Sequence, residues 1–404
     1  MKRILIFSLA YFPKHVGGAE VAIKEITDRC SSEEYEFHLV CLRFDSNLPK
    51  EEKIGNVWVH RIGFTKRNPS STDLRSFPLH LNKVWFQFAA PWRALRLHRE
   101  KRFDAIWAVM AHSCGVPAAL FKILKPCVPY LLTLQEGDPP ERIERKMFLF
   151  WPLFSRAFTS ADRIQTISTF LARWARRRGF SGPLNVIPNA VDVKHFSLEY
   201  PAKTIDDIKD SLDKKMGDVF LITTSRLVEK NAVDDVIRAL ALLPEHVHFV
   251  VLGIGPDEAK LKKLSRKLGV SERVRLVGQI SHSDMPKYLK ACDIFIRPSR
   301  SEGMGNSFVE AMAAGLPVIA TQEGGIADFL FDEKRNPEQP MTGFAVDKDS
   351  PKDIARAVKE IMSHPEKVRA VVATAKAMVK DMYEWDIVAK NMREKVFAPL
   401  LKLG

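Results

Sequence analysis

A chain of 404 residues with a net charge of +13 and an ordinary balance of apolar and charged residues is long enough for two or three domains, each burying its own core. It has no run of eighteen apolar residues, which argues against a membrane-crossing helix. Its five scattered cysteines (Cys30, Cys41, Cys114, Cys127, Cys292), with no C-x-x-C, argue against a metal site and for free thiols in a reducing cytosol.

The charge is lopsided. Residues 1–200 carry 30 Lys and Arg against 19 Asp and Glu, whereas residues 201–404 carry 32 against 30. The first apolar run, residues 3–9, leads into Pro13-Lys14-His15 with no small-residue cleavage site, so it reads as a buried strand and not as a signal peptide. A helix follows over 19–30, then strands at 37–42, 57–62, 105–109 and 129–134. Short apolar runs alternating with helices predict a parallel sheet covered on both faces. Residues 64–80 read as an irregular polar loop, and 146–158 as an aromatic-rich stretch that could face lipid.

Two basic clusters lie in this half. Arg93, Arg96, Arg99, Lys101 and Arg102 follow Trp85, Phe86, Phe88 and Trp92, while Arg173, Arg176, Arg177 and Arg178 surround Trp174 after Phe170 and Leu171. Such a face either attracts anionic membrane or nucleic acid, or is a solvated surface whose Arg stems cover apolar groups. The asymmetry between halves favours a membrane or an acidic substrate.

Residues 187–192 end the first unit, and a polar stretch over 200–216 reads as a linker. The alternation then restarts: strand 219–225, helix 233–243, strand 247–252, helix 256–268, strand 274–277, helix 285–291, strand 293–298. A last helix, 385–397, is expected to pack back on the first unit. This predicts an α/β chain of two doubly wound, Rossmann-like domains, 1–200 with 382–404 and 201–381. They would face each other across a ligand cleft at the carboxyl ends of both sheets.

The most informative stretch is Ser301-Glu302-Gly303-Met304-Gly305-Asn306-Ser307-Phe308-Val309-Glu310, which continues to Gly315-Leu316-Pro317. A glycine-bearing turn precedes a helix starting near Asn306, whose free N–H groups form an anion site. Glu302 lies before the turn and Glu310 is expected on the first helical turn. Carboxylates would repel a phosphate, so they suit sugar hydroxyls; a plain acidic helix start favoured by the dipole is the simpler reading of either one. Arg226 and Lys230 follow a strand and could clamp a diphosphate and stabilise it as it leaves. Gly17 and Gly18 join the first strand to the first helix and allow close backbone approach. Neither that loop nor Gly253-x-Gly255 has the three-glycine dinucleotide fingerprint, which counts against an NAD enzyme.

Taken together, the Gly17-Gly18 loop, residues 187–192, Arg226 and Lys230, Val277-Gly278-Gln279, the E-x7-E block and Glu323-Gly324-Gly325-Ile326 resemble retaining GT-B glycosyltransferases of family four. The resemblance covers most of the chain. It implies a GT-B fold with an N-terminal acceptor domain and a C-terminal donor domain. It also implies a nucleotide-diphosphate sugar donor carrying uridine or guanosine, a glycan or lipid-linked acceptor, retained anomeric configuration, and neither cofactor nor metal. By it, Glu302 holds the donor sugar's hydroxyls and Glu310 the ribose. Backbone groups of Gly303, Met304, Gly305 and Asn306 bind the distal phosphate, Arg226 and Lys230 meet its charge, and Gly278 lies against the base. His112 and Gln135 fall on the acceptor side.

The chain departs from the family pattern at three points. The Arg226-to-Lys230 spacing is one residue short, Ala190 replaces a common Gly, and Gln135 replaces a common His. Glutamine cannot act as a base near neutral pH, which suits a front-face displacement in which the leaving diphosphate takes the acceptor's proton. The resulting expectation is a cytoplasmic hexosyltransferase of cell-envelope glycan synthesis, working at the inner membrane face. The alternatives are a GT-B sugar-nucleotide epimerase and a non-catalytic basic protein binding membrane or nucleic acid. The missing recognition module and the near-neutral second half argue against nucleic acid.

Overall fold

The structure, a computed structural model, describes residues 1–14, 16–70 and 73–403. His15 of the first glycine loop and residues 71 and 72 of the 64–80 loop lie outside the described residues. The chain divides into two compact units, Met1–Asn189 with Trp385–Gly404, and Ala190–Glu384.

Among the described residues the first unit holds eight strands: β1 (Lys2–Phe7), β2 (Tyr35–Leu42), β3 (Glu51–Ile54), β4 (Val57–Ile62), β5 (Ala105–Val109), β6 (Tyr130–Leu134), β7 (Arg163–Thr166) and β8 (Leu184–Val186). Their order in the sheet is β3-β4-β2-β1-β5-β6-β7-β8. All pairings are parallel except that of β3 with β4. Ile4, Leu5, Ile6 and Phe7 are all fully buried, as expected for a strand with helices on both faces. The helix Gly18–Asp28 turns Ala22, Ile23 and Ile26 onto the sheet at helical spacing.

The second unit repeats the plan with β9 (Val219–Thr224), β10 (Val247–Leu252), β11 (Val274–Gly278), β12 (Ile294–Arg297), β13 (Val318–Ala320) and β14 (Phe344–Ala345). The order is β11-β10-β9-β12-β13-β14, all parallel. In each unit the strand order reverses beside the first strand, between β1 and β5 and between β9 and β12. Loops leaving two such strands diverge and leave a crevice at their carboxyl ends.

Several expectations need correction. The 200–216 linker contains a helix, Ala202–Ser211, packed against the helix Met285–Ala291. The boundary between units falls at Asn189/Ala190 instead of 200/201. The intervening residues belong with the second unit, where Phe196 is buried and the Val191 N–H bonds to the Tyr383 carbonyl at 2.9 Å. The first sheet is not wholly parallel, because Glu51–Ile54 folds back on β4 as a charged edge strand around Gly55, whose φ is +56°. The final helix is broken into Trp385–Asn391, a π-helical segment Met392–Phe397 and Ala398–Leu400. Phe397 on it packs edge-on against Trp107, 5.3 Å between ring centres, on the first unit's sheet.

Candidate functional site

The second unit's crevice is built from the loops after β9 and β12. After β9 the chain passes close to Gly253 and Gly255: a Cβ on Gly253 would lie 1.9 Å from the Ser225 carbonyl oxygen, and one on Gly255 2.3 Å from that of Leu227. These glycines therefore let the Arg226 loop lie flat on its neighbour. Arg226 itself is exposed, and among the described residues no carboxylate pairs with its guanidinium. Its carbonyl accepts from the buried Asn231 side chain at 2.7 Å, which shapes the short turn Glu229–Asn231 carrying Lys230.

Arg300 fastens that turn to the loop after β12. Its backbone N–H donates to the Lys230 carbonyl at 2.7 Å and its guanidinium to that of Glu229 at 2.6 Å. The same guanidinium reaches Asp234 at 2.9 Å, Asp235 at 2.6 Å and Asp349 at 2.5 Å. Burial opposes its charge, but Asp234 and Asp349 more than offset this and hold the group above the ordinary arginine range.

This staple brings Lys230 and Glu302 together, with Nζ 3.9 Å from Oε1. The other carboxylate oxygen of Glu302 accepts from Arg297 Nη2 at 2.8 Å, and Oε1 accepts from the Gly303 N–H at 3.1 Å. Arg297 was not foreseen from the sequence. It ends the buried strand β12, donates from Nη1 to Ser307 at 2.8 Å, and stacks its guanidinium 4.2 Å from the Phe308 ring centre. Burial lowers its pKa, while the Glu302 and Glu310 charges act the other way. An arginine directly after Ile294-Phe295-Ile296 was the available signal, because a charge in a parallel strand needs a partner.

Gly303 and Met304 are buried, and Gly305 adopts φ +91° at the cap of the helix Asn306–Ala314. A Cβ there would meet the Phe308 ring at 2.6 Å and Arg297 Nη2 at 2.7 Å, so only glycine closes the turn. No side chain caps the helix start. From below, a Cβ on Gly324 would lie 1.9 Å from the Glu302 carbonyl, which accepts the Gly325 N–H at 3.0 Å. Glu310 is one turn later than expected: the helix begins at Asn306, so Glu310 is its fifth residue and meets His282 Nε2 at 3.2 Å. Gly278 ends β11 with φ +91°, and its carbonyl accepts from the Gly253 N–H at 2.7 Å.

The first unit's crevice is different. Glu20 reaches back to the Gly17 N–H at 2.8 Å, so that donor is already engaged; Gly17 is extended and Gly18 opens the helix. Burial raises the Glu20 pKa, with the Gly17 hydrogen bond opposing. After β5, Met110 takes φ +73° and leads into the π-helical segment Ala111–Gly115, which carries His112. The buried Glu136 holds this segment to the loop after β6. It accepts from the Ala111 N–H at 2.5 Å and the Gln135 N–H at 3.0 Å, and its Oε1 lies 3.5 Å from His112 Nδ1. The Gln135 side chain accepts from Asn189 Nδ2 at 3.2 Å. Glu136 was also unforeseen, although an acid directly after the buried run Leu131-Leu132-Thr133-Leu134 could have pointed to it. Among the described residues no group of three or more His, Cys, Asp or Glu is placed to hold a metal.

Comparison with known proteins agrees with this plan. Residues 204–378 match the family described as Glycosyl transferases group 1, and residues 16–195 match Glycosyltransferase Family 4. A GDP-mannose-dependent monoacylated alpha-(1-6)-phosphatidylinositol monomannoside mannosyltransferase of Corynebacterium glutamicum is 28% identical over 60% of this chain and 65% of its own length. The chain thus spans somewhat less than two thirds of that relative. An uncharacterized glycosyltransferase of Methanocaldococcus jannaschii is 24% identical over 96% of both chains. Among solved structures, Anabaena HepE in complex with UDP and glucose superposes with a TM-score of 0.76 at 19% identity, covering 98% of this chain and 100% of that one. Two mostly parallel, doubly wound sheets, these matches to both halves and that superposition lead to one assignment: the chain belongs to the group 1 glycosyltransferases of GT-B fold.

Proposed function

We propose that this protein is a retaining hexosyltransferase that moves a sugar from a nucleotide diphosphate to a hydroxyl of a glycan or glycolipid, without a metal. The observation that carries the reading is Glu302, held by Arg297 on one oxygen and facing Lys230 on the other, beside an uncapped helix start. Helix N–H groups at Gly305 and Asn306 would take the distal phosphate. Lys230 and Arg226 would stabilise the negative charge that grows on it. The Glu302 oxygens retain acceptor capacity for sugar hydroxyls, and Glu310 would take the ribose. In the step itself the anomeric C–O bond to the diphosphate breaks. The acceptor oxygen bonds to the same face, and its proton passes to the departing phosphate oxygen.

We assign donor binding to the second unit and acceptor contacts, through His112 and Gln135, to the first. Relatives that use GDP-mannose on a phosphatidylinositol mannoside, and a neighbour solved with UDP, support a UDP- or GDP-hexose donor and a lipid-linked acceptor. A lipid acceptor places the enzyme on the cytoplasmic face of a membrane. Among the described residues no helix is long and apolar enough to cross one.

The test is a thermal-shift screen against UDP, GDP and their hexoses, followed by incubation of the stabilising sugar nucleotide without acceptor. Binding should raise the melting temperature, and slow release of free sugar with its anomeric configuration retained is expected. An epimerised sugar nucleotide, or no stabilisation by any of the set, overturns the reading.

A further inference from the structure

The first unit carries an apolar ridge that its own core does not use. The helix Asn82–Lys101 sits on the sheet through Phe86, Ala90, Ala94 and Leu97. Trp85, Phe88 and Trp92 point the other way, at spacings of three and four that form one stripe. Trp92 is 68% exposed. The stripe continues into Arg96 and Arg99, both exposed. A second segment joins it: Phe148 and Leu149 are 73% and 86% exposed, and their neighbour Phe150 lies 6.0 Å from the Phe88 ring centre.

The charge around this ridge is mainly positive, although Glu51 pairs with Arg93 and Asp138 lies 3.3 Å from Lys146. No Asp or Glu occurs from residue 74 to 99, or from 145 to 161, while Lys83, Arg96, Arg99, Arg145, Lys146 and Arg156 are exposed there. Large apolar side chains projecting into water mark an interaction surface. Aromatic tips among a surplus of cations match the interface of an anionic bilayer, where rings enter the headgroup layer and the Lys and Arg left without an acid meet lipid charge. A second copy fits poorly, because a two-fold contact through this face would set Arg96 and Arg99 against their own equivalents.

We propose that this ridge docks the protein on an anionic lipid bilayer, with Phe88, Trp92, Phe148 and Leu149 entering the headgroup region. The docking helix is tied to the first unit's crevice: Gln87 Nε2 donates to the Ser113 carbonyl at 3.1 Å, one residue beyond His112. Docking would therefore bring the acceptor-side segment to the lipid surface. This deepens the lipid-acceptor reading given above, but it is tested without donor or acceptor, so either can fail alone.

The measurement is flotation with vesicles of phosphatidylcholine alone, or with about a third phosphatidylglycerol. The protein should float with the acidic vesicles, and raised salt should weaken but not abolish this. Phe88→Ser/Trp92→Ser/Leu149→Ser should cut binding at least about tenfold with an unchanged melting temperature, since all three side chains are exposed. Arg96→Glu/Arg99→Glu should remove the preference for acidic vesicles. Failure of the native protein to bind acidic vesicles at low salt overturns the proposal, as does undiminished binding by the triple variant. A native dimer that the triple variant makes monomeric would overturn it in favour of a second copy.

Discussion

The two crevices share a topology but hold their loops by opposite means. In the second unit, loops after β9 and β12 are joined by charge: Arg300 gathers three aspartates and two carbonyls, while Arg297 and Lys230 flank Glu302. In the first, loops after β5 and β6 are joined by one buried carboxylate, Glu136, accepting backbone N–H groups. Fixed charges suit a site that must meet a charged, departing group without reorganising. A crevice whose loops are held by backbone N–H groups donating to Glu20 and Glu136 suits a polyol or a lipid-borne hydroxyl.

That contrast can be broken most directly at the charged cluster. Lys230→Ala and Glu302→Ala should each lower kcat at least roughly a hundredfold, the usual loss on removing an electrostatic stabiliser, with the fold intact by circular dichroism. Turnover near the native rate in both would end the assignment. Arg297→Met should lower kcat at least about tenfold and cost roughly 1–3 kcal/mol of stability, because the half-buried Glu302 loses its partner. Adding Glu302→Gln should restore most of that stability but none of the rate. Recovery of both would mean that Arg297 serves packing alone.

On the first unit, Glu136→Gln keeps the shape but loses one acceptor for the two N–H groups it satisfies. It should cost about 1–3 kcal/mol and raise KM for acceptor while leaving KM for donor unchanged. A change in donor KM instead would erase the distinction between the crevices.

The expected effect with the least bearing on turnover is on acid stability. His60 is buried in the first unit's sheet, its ring stacked on His38 with 5.3 Å between centres. His60 Nδ1 lies 3.4 Å from Glu51 and from Arg93, and His38 Nε2 is bonded to Glu36 at 2.6 Å. Burial, with the His38 charge beside it, pushes His60 down to about 4 from 6.5. The unfolded chain therefore holds more protons between those values. The stability this group contributes is present above pH 6.5 and is lost as pH falls towards 4. With allowance for water at the ring edge, the loss is about 2 kcal/mol. Chemical denaturation from pH 7 to 4 should show it, and His60→Phe should flatten the slope. Equal slopes in both proteins would place the acid lability elsewhere.

Much of the fold was legible where burial leaves a local mark. Strands 57–62, 105–109 and 247–252 match to the residue: Ala105–Val109 is an unbroken apolar run, as a parallel strand covered on both faces should be, and the other two are apolar apart from His60 and Arg61 and from His248. β3, β7, β8 and β14 were missed, the first two for the converse reason. Glu51-Glu52-Lys53-Ile54 is a solvated edge, and Arg163-Ile164-Gln165-Thr166 buries polar side chains satisfied by distant groups, Gln165 by the Ile187 carbonyl at 2.6 Å. The site divides in the same way. Glu302, the glycine turn and the helix start are a local motif, whereas Arg300 and Glu136 act on partners 66 and 25 residues away, which spacing along the chain does not reveal. The helix start near Asn306 matches, and Glu310, as its fifth residue, begins the second turn instead of sitting on the first.

Arg300 also has a consequence for biogenesis. The groups it gathers run from Glu229 to Asp349, nearly the whole of the second sheet, and Lys230 takes its place beside Glu302 only when they have met. A nascent or nicked second unit lacking any of these segments would retain helices and strands but no assembled charge cluster. Under the proposed function, donor turnover would then report complete folding of that unit.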